Sequence, residues 1–311
     1  MTRLALINVA NPRRRAEWSL PPLGLAYLAS YLRKHLALKD ITIIYNPNGV
    51  SEQLARFKPD LVGIGSVTHN FGRAVELAKK IKSNIQVPIV VGGHHISSVR
   101  ELVLEQNGCS FCASTHFWQS CRFFSAAYVV EEVKELIQRY KAERIEIWDD
   151  LFQANRRRLR EIVRMIRDEK IHEVVHFTCQ GKANIFDDEL CQLLLKMNVT
   201  HVSFGFESCS EKILSYLKGG TVTVAQNEEA VRLCKKYGLR ETGTFIVGSP
   251  NETQEDILAT LNFIRRTGIS GERYVLTPYP GTEIWDVAKA MGKVDEEMDW
   301  SRLDINTWSP E

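Results

Sequence analysis

The sequence has no long apolar run and no large excess of charge of either sign. Its cysteines are odd in number, so they cannot all be paired in disulfides within the chain. No run approaches the roughly 18 to 20 apolar residues that cross a bilayer, and the first residues predict a strand rather than a signal peptide. Forty basic and 38 acidic side chains leave a formal charge of +2, which gives no bulk attraction to nucleic acid or to a membrane. Seven irregularly spaced cysteines favour reduced thiols in a cytoplasmic protein over a disulfide framework.

Several catalytic motifs are also missing. No G-x-G-x-x-G follows the first predicted strand, which argues against an ordinary nicotinamide site. The nucleophile elbow is absent, which argues against an α/β hydrolase. One C-x-x-C pair occurs without a second, so a structural zinc site is poorly supported. The length of 311 residues leaves room for one large domain or two medium ones.

The first hundred residues alternate short apolar runs with amphipathic stretches. The apolar runs cover 4–9, 41–45, 61–66 and 88–91, and the helical patterns cover 22–35, 51–57 and 71–83. Apolar strands that alternate with helices predict an α/β fold with a doubly wound, Rossmann-like parallel sheet. Ligands of such sheets bind outside the carboxyl ends of the strands.

The loops at those strand ends contain the first candidate binding residues. They are Pro22, Gly24, Thr68, Gly92, Gly93 and His94. A glycine pair after a strand permits close approach of a ligand to the backbone, but a plain turn explains it equally well. His94 and the adjacent His95 are candidate ligands of a metal or cofactor, although neighbouring loop histidines are more often solvated.

Three segments of this region resemble the cobalamin-binding domain that precedes many radical S-adenosylmethionine (radical SAM) enzymes. They are 20–32 (LPPLGLAYLASYL), 58–66 (KPDLVGIGS) and 90–95 (VVGGHH). The resemblance implies that the sheet binds the tail and lower face of cobalamin. The Asp-x-His-x-x-Gly signature of base-off cobalamin mutases is absent, so the resemblance favours the glycine loop as a cofactor cradle over His94 as a cobalt ligand.

The second part of the chain has a regular strand–helix rhythm. Strands are predicted at 144–148, 173–178, 201–206, 241–247 and 272–276, and helices at 126–140, 154–169, 187–197, 224–237 and 253–267. With an entry strand at about 102–104, the series amounts to about six βα units. It therefore predicts a partial (βα)6 barrel of the TIM type, whose functional loops follow the carboxyl ends of the strands.

Candidate site residues stand at those strand ends. They are Asp149, Asp150, Gln180, Glu207 and Pro250, preceded by a possible metal loop with Cys109, Phe111 and Cys112. The paired aspartates suit a divalent metal or the amine and hydroxyls of a ligand, and the alternative is N-capping of the following helix. A carboxylate at position 207, directly after an apolar run, has no evident structural role without a partner.

From residue 109 to about 300 the chain resembles the radical SAM core. The segments that carry the resemblance are 109–118 (CSFCASTHFW), 147–152 (IWDDLF), 178–184 (TCQGKAN), 204–208 (FGFES), 245–252 (FIVGSPNE) and 277–282 (TPYPGT). The resemblance implies a [4Fe–4S] cluster held by three thiolates, two of them Cys109 and Cys112, with SAM on the fourth iron. One electron, supplied by a donor such as flavodoxin or ferredoxin, then cleaves SAM to a deoxyadenosyl radical.

The same resemblance assigns roles to individual residues. The position of Phe111 packs on the adenine of SAM, and Asp149 and Asp150 contact its amino group. Glu207 helps to place SAM, while Gln180 and Pro250 belong to the cofactor-binding motifs of neighbouring strands. Glu207 and Asp149 are the predicted catalytic residues, and an attached cobalamin implies methyl transfer or related radical steps.

The junction of the two parts departs from the family pattern. Glu105 occupies the place of the first cluster cysteine, and a carboxylate is a harder ligand than a thiolate. Too few residues separate the two predicted domains for both the end of the sheet and the entry to the barrel. We therefore expect a deletion of several tens of residues relative to the family. The predicted domains are 1–104, 105–300 and a shortened tail, 301–311, and the alternative function is a non-catalytic remnant that binds cobalamin or a nucleoside.

Overall fold

A computed structural model describes residues 2–11, 21–46, 49–93, 110–111, 123–149 and 152–304. These residues divide into two compact units. The first holds the described residues up to 93, Phe111 and 277–304, and the second holds Ser110 and the described residues from 123 to 276. None of the helices in the described ranges is long and apolar enough to cross a membrane.

The first unit is built on a four-stranded parallel sheet. Its strands are β1 (Leu4–Asn8), β2 (Ile41–Ile44), β3 (Leu61–Gly65) and β4 (Ile89–Gly92). They lie in the order β2-β1-β3-β4, and every neighbouring pair is parallel. The strand order reverses between β1 and β3, which is where doubly wound sheets bind their ligands.

Helices cover both faces of this sheet. They are α1 (Leu23–His35), α2 (Val50–Phe57) and α3 (Phe71–Asn84). Alternate residues of a strand point to opposite faces. Accordingly, Leu4 and Leu6 pack with α1, whereas Ala5 and Ile7 lie in the core that α2 and α3 cover. Strand β1 is therefore buried on both faces, as its continuous apolar run predicts.

The second unit contains a five-stranded parallel sheet in sequential order. Its strands are β5 (Arg144–Ile147), β6 (His176–Gly181), β7 (Val199–Glu207), β8 (Arg240–Val247) and β9 (Ser270–Val275). The helices are α4 (Ala126–Tyr140), α5 (Arg156–Asp168), α6 (Asp188–Lys196), α7 (Glu211–Lys218), α8 (Val224–Tyr237) and α9 (Gln254–Thr267). This is a (βα) series of the TIM type, so the predicted fold class is confirmed.

Aromatic side chains fill the space between this sheet and its helices. The rings of Phe204 and Phe206 are stacked at a centroid distance of 5.1 Å, and Phe206 packs edge-on against Phe263 at 5.7 Å. Phe245 joins them from β8, at 6.1 Å from Phe206. Such pairs add about 0.5–1.5 kcal/mol each to the stability that burial provides. This core fixes β7 and β8, whose ends carry the predicted site residues.

Most predicted elements agree with the structure to within a few residues. Two helices were not predicted, α7 and α10 (Glu283–Ala290). The predicted strand at 173–178 is wrong at its start, because Ile171–Glu173 forms a 3-10 turn and β6 begins at His176. The first predicted barrel strand, near 102–104, lies outside the described residues.

Residues 277–304 pack with the first unit. Trp285 of α10 and Trp300 stack at 5.6 Å, and Leu303 beside them is fully buried. The turn Trp300–Arg302 lies against the turn Thr68–Asn70 that follows β3. The chain therefore contributes its last described turn to the carboxyl end of the first sheet.

Candidate functional site

The first site lies at the carboxyl end of β3. Ser66, Thr68 and Asn70 are all buried there. The Asn70 side-chain amide donates to the carbonyl of Val9, 3.3 Å away, which ties the ends of β1 and β3 together. The hydroxyl of Ser66 is buried and has no hydrogen-bond partner in the described part of the chain. A buried hydroxyl without a partner is costly, and a bound polar ligand would satisfy it.

The glycine pair at the end of β4 lies beside this end of β3. Gly93 has a φ of 111°, and a Cβ placed on it would lie 2.2 Å from the Ser66 carbonyl oxygen. A Cβ on Gly92, in contrast, would meet no atom within 4 Å. The turn thus requires a glycine at position 93, whereas the space around Gly92 is open.

The other predicted residues of this sheet differ in their surroundings. Pro22 precedes α1 and accepts backbone hydrogen bonds from Leu25 and Ala26 at 3.0 and 3.1 Å. Gly24 is exposed, and a Cβ on it would meet nothing within 4 Å. Thr68 is buried beside Ser66, and His94 lies outside the described residues.

In the second unit, Glu207 ends β7 with an unusual backbone and a buried charge partner. Its φ is 60°, a left-handed conformation that is rare for residues other than glycine. The Glu207 carboxylate contacts the Lys218 ammonium at 2.8 Å, and both side chains are largely buried. A Cβ on Gly205 would lie 2.5 Å from the same carboxylate oxygen. Gly205 therefore leaves the space into which the Glu207 side chain folds.

Ser110 lies at the end of the helix that carries Lys218. Its backbone amide donates to the Leu217 carbonyl at 3.1 Å, and its hydroxyl donates to the Tyr216 carbonyl at 3.2 Å. Ser110 stands between the two predicted cluster cysteines in the sequence, so this one described residue of the C-x-x-C segment is hydrogen-bonded to the helix that carries Lys218. Cys109 and Cys112 lie outside the described residues, and Phe111 groups with the first unit.

Asp149 follows β5 and is exposed. The helix that comes next, α5, is capped by Asn155, whose side chain accepts from the Arg158 amide at 3.0 Å. The capping interpretation is therefore wrong for Asp149, because a different residue has that role. Asp150 lies outside the described residues.

Gln153 connects the loop after β5 to the end of β6. Its side-chain amide donates to the Gln180 carbonyl at 2.8 Å and lies 3.1 Å from the Cys179 sulfur. Gln153 is 2% exposed, and its side-chain oxygen has no partner among the described residues. Sequence reasoning missed this residue, because nothing in its local pattern indicates burial at a strand end. Gln180 is thereby fixed through its backbone.

The loop after β8 is folded around a carboxylate. Glu252 accepts hydrogen bonds from the backbone amides of Gly248 and Ser249 at 2.6 and 3.2 Å. Pro250 lies within this closed turn, and Thr253 then caps α9. The Ser249 hydroxyl is buried and finds no partner within the described ranges. The turn therefore offers a buried hydroxyl at the end of β8.

Four cysteines of the second unit are buried free thiols: Cys179, Cys191, Cys209 and Cys234. Burial raises the pKa of Cys179, Cys191 and Cys209 to about 12, and it raises the pKa of Cys234 as well. Protonated thiols are poor metal ligands. No group of three His, Cys, Asp or Glu side chains that could hold a metal occurs among the described residues. Thiolate ligands for a cluster must therefore come from outside them.

The Radical SAM superfamily model matches residues 106–264, about half of the chain. The chain belongs to the radical SAM superfamily. The B12 binding domain model matches residues 14–115, so the family recognised from the sequence is confirmed in both of its parts. The two matched segments overlap at 106–115.

Two of the curated relatives that the chain matches are named methyltransferases. An uncharacterized methyltransferase of Pyrococcus horikoshii is 27% identical over 370 residues, with 87% of this chain and 79% of that protein covered. Cytidylyl-2-hydroxyethylphosphonate methyltransferase of Streptomyces wedmorensis is 27% identical over 204 residues, with 63% of this chain and 38% of that protein covered. The first alignment is 370 positions long but contains only about 270 residues of this chain, which is 87% of 311. About 100 of its positions are therefore gaps in this chain.

Solved structures share the fold. The radical SAM methyltransferase TsrM of Kitasatospora setae, with cobalamin and a [4Fe–4S] cluster bound, has a TM-score of 0.76 at 17% identity over 94% of this chain and 76% of that one. OxsB, a cobalamin-dependent radical SAM enzyme with aqua-cobalamin and SAM bound, has a TM-score of 0.70 at 16% identity, covering 94% of this chain and 55% of that one.

Proposed function

We propose that this protein is a cobalamin-dependent radical SAM enzyme that carries out methyl transfer or related radical chemistry. The observation that carries the proposal is the position of its buried polar groups. They stand at the carboxyl ends of the strands in both sheets, where each family part would bind its cofactor. In the first sheet the groups are Ser66 and Thr68, and in the second the group is Glu207, which pairs with Lys218 of α7.

The residues of the first sheet fit a cobalamin tail. The Ser66 hydroxyl needs a polar partner, and Gly93 brings the β4 turn directly against the end of β3. The open space at Gly92 allows a bulky ligand to approach the backbone. These residues would bind and orient the ligand and exclude water from its lower side.

The residues of the second sheet fit SAM. The Glu207 carboxylate would accept hydrogen bonds from the amino group or hydroxyls of the ligand. Its ion pair with Lys218 fixes the orientation of this carboxylate. Ser110 attaches the C-x-x-C loop to the same helix end. When bound, the cluster would supply the electron that cleaves the SAM sulfonium, and cobalamin would carry the transferred methyl group or support a related radical step.

A second candidate function is a non-catalytic member of the family that binds cobalamin or a nucleoside. The observation that favours it is Glu105, which stands where the family has the first cluster cysteine. A carboxylate oxygen is a poor match to an iron–sulfur cluster. The four described thiols offer no substitute, because they are buried and protonated.

Two accompanying proposals concern the surroundings of the protein. Cleavage of SAM requires a one-electron donor, for which a flavodoxin or ferredoxin is suited. A cytoplasmic location agrees with the four free thiols of the second unit.

Anaerobic reconstitution with iron and sulfide separates the two functions. The enzyme is expected to bind about four irons per chain, to release deoxyadenosine from SAM under reduction, and to bind hydroxocobalamin in a spectroscopic titration. Cobalamin binding without iron uptake or deoxyadenosine would instead establish the non-catalytic function. Absence of cluster, cobalamin and nucleoside binding together would contradict both.

A further inference from the structure

A single buried guanidinium joins the exits of two loops in the second unit. Arg158, in the first turn of α5, is 8% exposed. Its Nε donates to the Phe124 carbonyl at 2.7 Å, and its Nη1 lies 3.5 Å from the Phe152 carbonyl. The same group lies over the rings of Phe123 and Phe152, with its carbon 5.2 and 5.6 Å from the two centroids.

The partners of Arg158 come from two separate places in the sequence. Phe123 and Phe124 directly follow the segment that contains Cys112 and Cys121, and Phe152 directly follows Asp149, Asp150 and Leu151. By the proposed function the first segment holds the cluster, and by the family resemblance the second contacts the SAM amino group. The residues that directly follow both segments therefore contact the same side chain, that of Arg158.

The chemistry of arginine suits this task. A planar guanidinium stacks on aromatic rings and still donates hydrogen bonds at its edge. Burial strengthens both interactions, and the two carbonyls would lose a charged donor if the side chain were removed. A lysine at the same place supplies one compact ammonium, which cannot lie over both rings and reach both carbonyls.

We propose that Arg158 is a positioning residue that couples the exit of the cluster loop to the exit of the loop after β5. The inference rests on the proposed function for its consequence, which is that the coupling keeps the SAM amino-group contacts in register with the cluster. The proposal does not require Arg158 to touch SAM or the cluster. Arg158 would act through the backbone at Phe124 and Phe152, whose carbonyls it binds.

Hydrogen exchange on the full chain without cofactors tests the coupling itself. In Arg158→Lys we expect faster amide exchange in peptides that cover 123–125 and in peptides that cover 152–155, with the later turns of α5 unchanged. Arg160→Lys is the matched control, because Arg160 is on the same helix but is half-exposed and paired with Glu189. Exchange that rises along all of α5, or in only one of the two segments, would overturn the proposal.

SAM binding to the reconstituted protein tests the consequence. The dissociation constant for SAM is expected to rise about tenfold in Arg158→Lys, at unchanged iron per chain. The change in the electron paramagnetic resonance spectrum that SAM causes should weaken in parallel. If SAM affinity per cluster equals that of the wild type, the positioning role is refuted even where thermal stability falls.

A second variant covers the case in which Arg158→Lys does not fold. Phe123→Leu removes one ring and leaves the guanidinium, and it should raise exchange at 123–125 and 152–155 to a smaller extent. Unchanged exchange at 152–155 in that variant would overturn the coupling. A wild-type protein that takes up neither iron nor SAM refutes the proposed function, whereas the exchange measurement still decides the coupling.

Discussion

The carboxylate of Glu207 and the ammonium of Lys218 form a buried ion pair, with an N–O distance of 2.8 Å. Glu207 adopts a left-handed backbone at the end of β7, and Gly205 leaves room for its side chain. Backbone strain of this kind costs of order 1 to 3 kcal/mol and is typical of functional sites. The pair thus combines strain, buried charge and a strand-end position in one place.

Loss of one partner of this pair is expected to destabilise the protein more than loss of both. Lys218→Met leaves the Glu207 carboxylate buried without its partner, which typically costs about 3–5 kcal/mol. The double variant with Glu207→Gln removes the charge as well and should recover part of that loss. Denaturant unfolding of the wild type, both single variants and the double variant measures the difference.

The matched control for this prediction is Lys236→Met. Lys236 pairs with Asp188 in the same unit, but both side chains are about half exposed. Solvent screens such a pair, so its loss should change stability little. Equal losses in the two lysine variants would show that the Glu207–Lys218 pair has no special importance for the fold.

At the glycine pair that ends β4, one position is expected to matter for folding and the other for ligand binding. Gly93→Ala should destabilise the first unit by more than about 1 kcal/mol, because its Cβ would overlap the Ser66 carbonyl and its φ is positive. Gly92→Ala meets no atom and should fold normally, but it should weaken cobalamin binding. Thermal unfolding and a cobalamin titration give the two readouts. Unchanged cobalamin affinity in Gly92→Ala would favour a plain turn.

The buried thiols predict a loss of stability at alkaline pH. The folded pKa of Cys179, Cys191 and Cys209 is about 12, whereas an unfolded cysteine ionises near pH 8.5. Above about pH 8.5 the unfolded state releases protons that the folded state retains, so the free energy of unfolding should fall as the pH rises towards 12. Unfolding at pH 8 and pH 10 measures the slope. Cys191→Ala should make it shallower, and an unchanged slope would contradict the assignment.

Position 105 is expected to limit cluster assembly. Glu105→Cys would supply the third thiolate of the family pattern, and the iron bound per chain should rise after anaerobic reconstitution. Glu105→Ser is the matched control, because it removes the carboxylate without adding a thiolate. No increase in the cysteine variant would mean that the shortened junction, rather than the ligand, limits assembly.

The two-sheet architecture could be predicted from sequence because its signal is local. Each strand of the first sheet is a continuous apolar run, and the helix at 126–140 has the bounds that its apolar periodicity predicts. Three elements escaped prediction. The helices α7 and α10 are each only eight residues long, and the turn at Ile171–Glu173 precedes a strand to which the sequence pattern assigns its last residue.

The candidate site was predicted only as a set of positions. The sequence determined which residues stand at strand ends, because strand and helix periods are properties of neighbouring residues. The tertiary structure decided their partners: Lys218 for Glu207, the end of α7 for Ser110, and Asn155 in place of Asp149 as a helix cap. Hydrogen-bond and charge partners distant in the chain depend on how whole elements pack, and no local pattern encodes that packing.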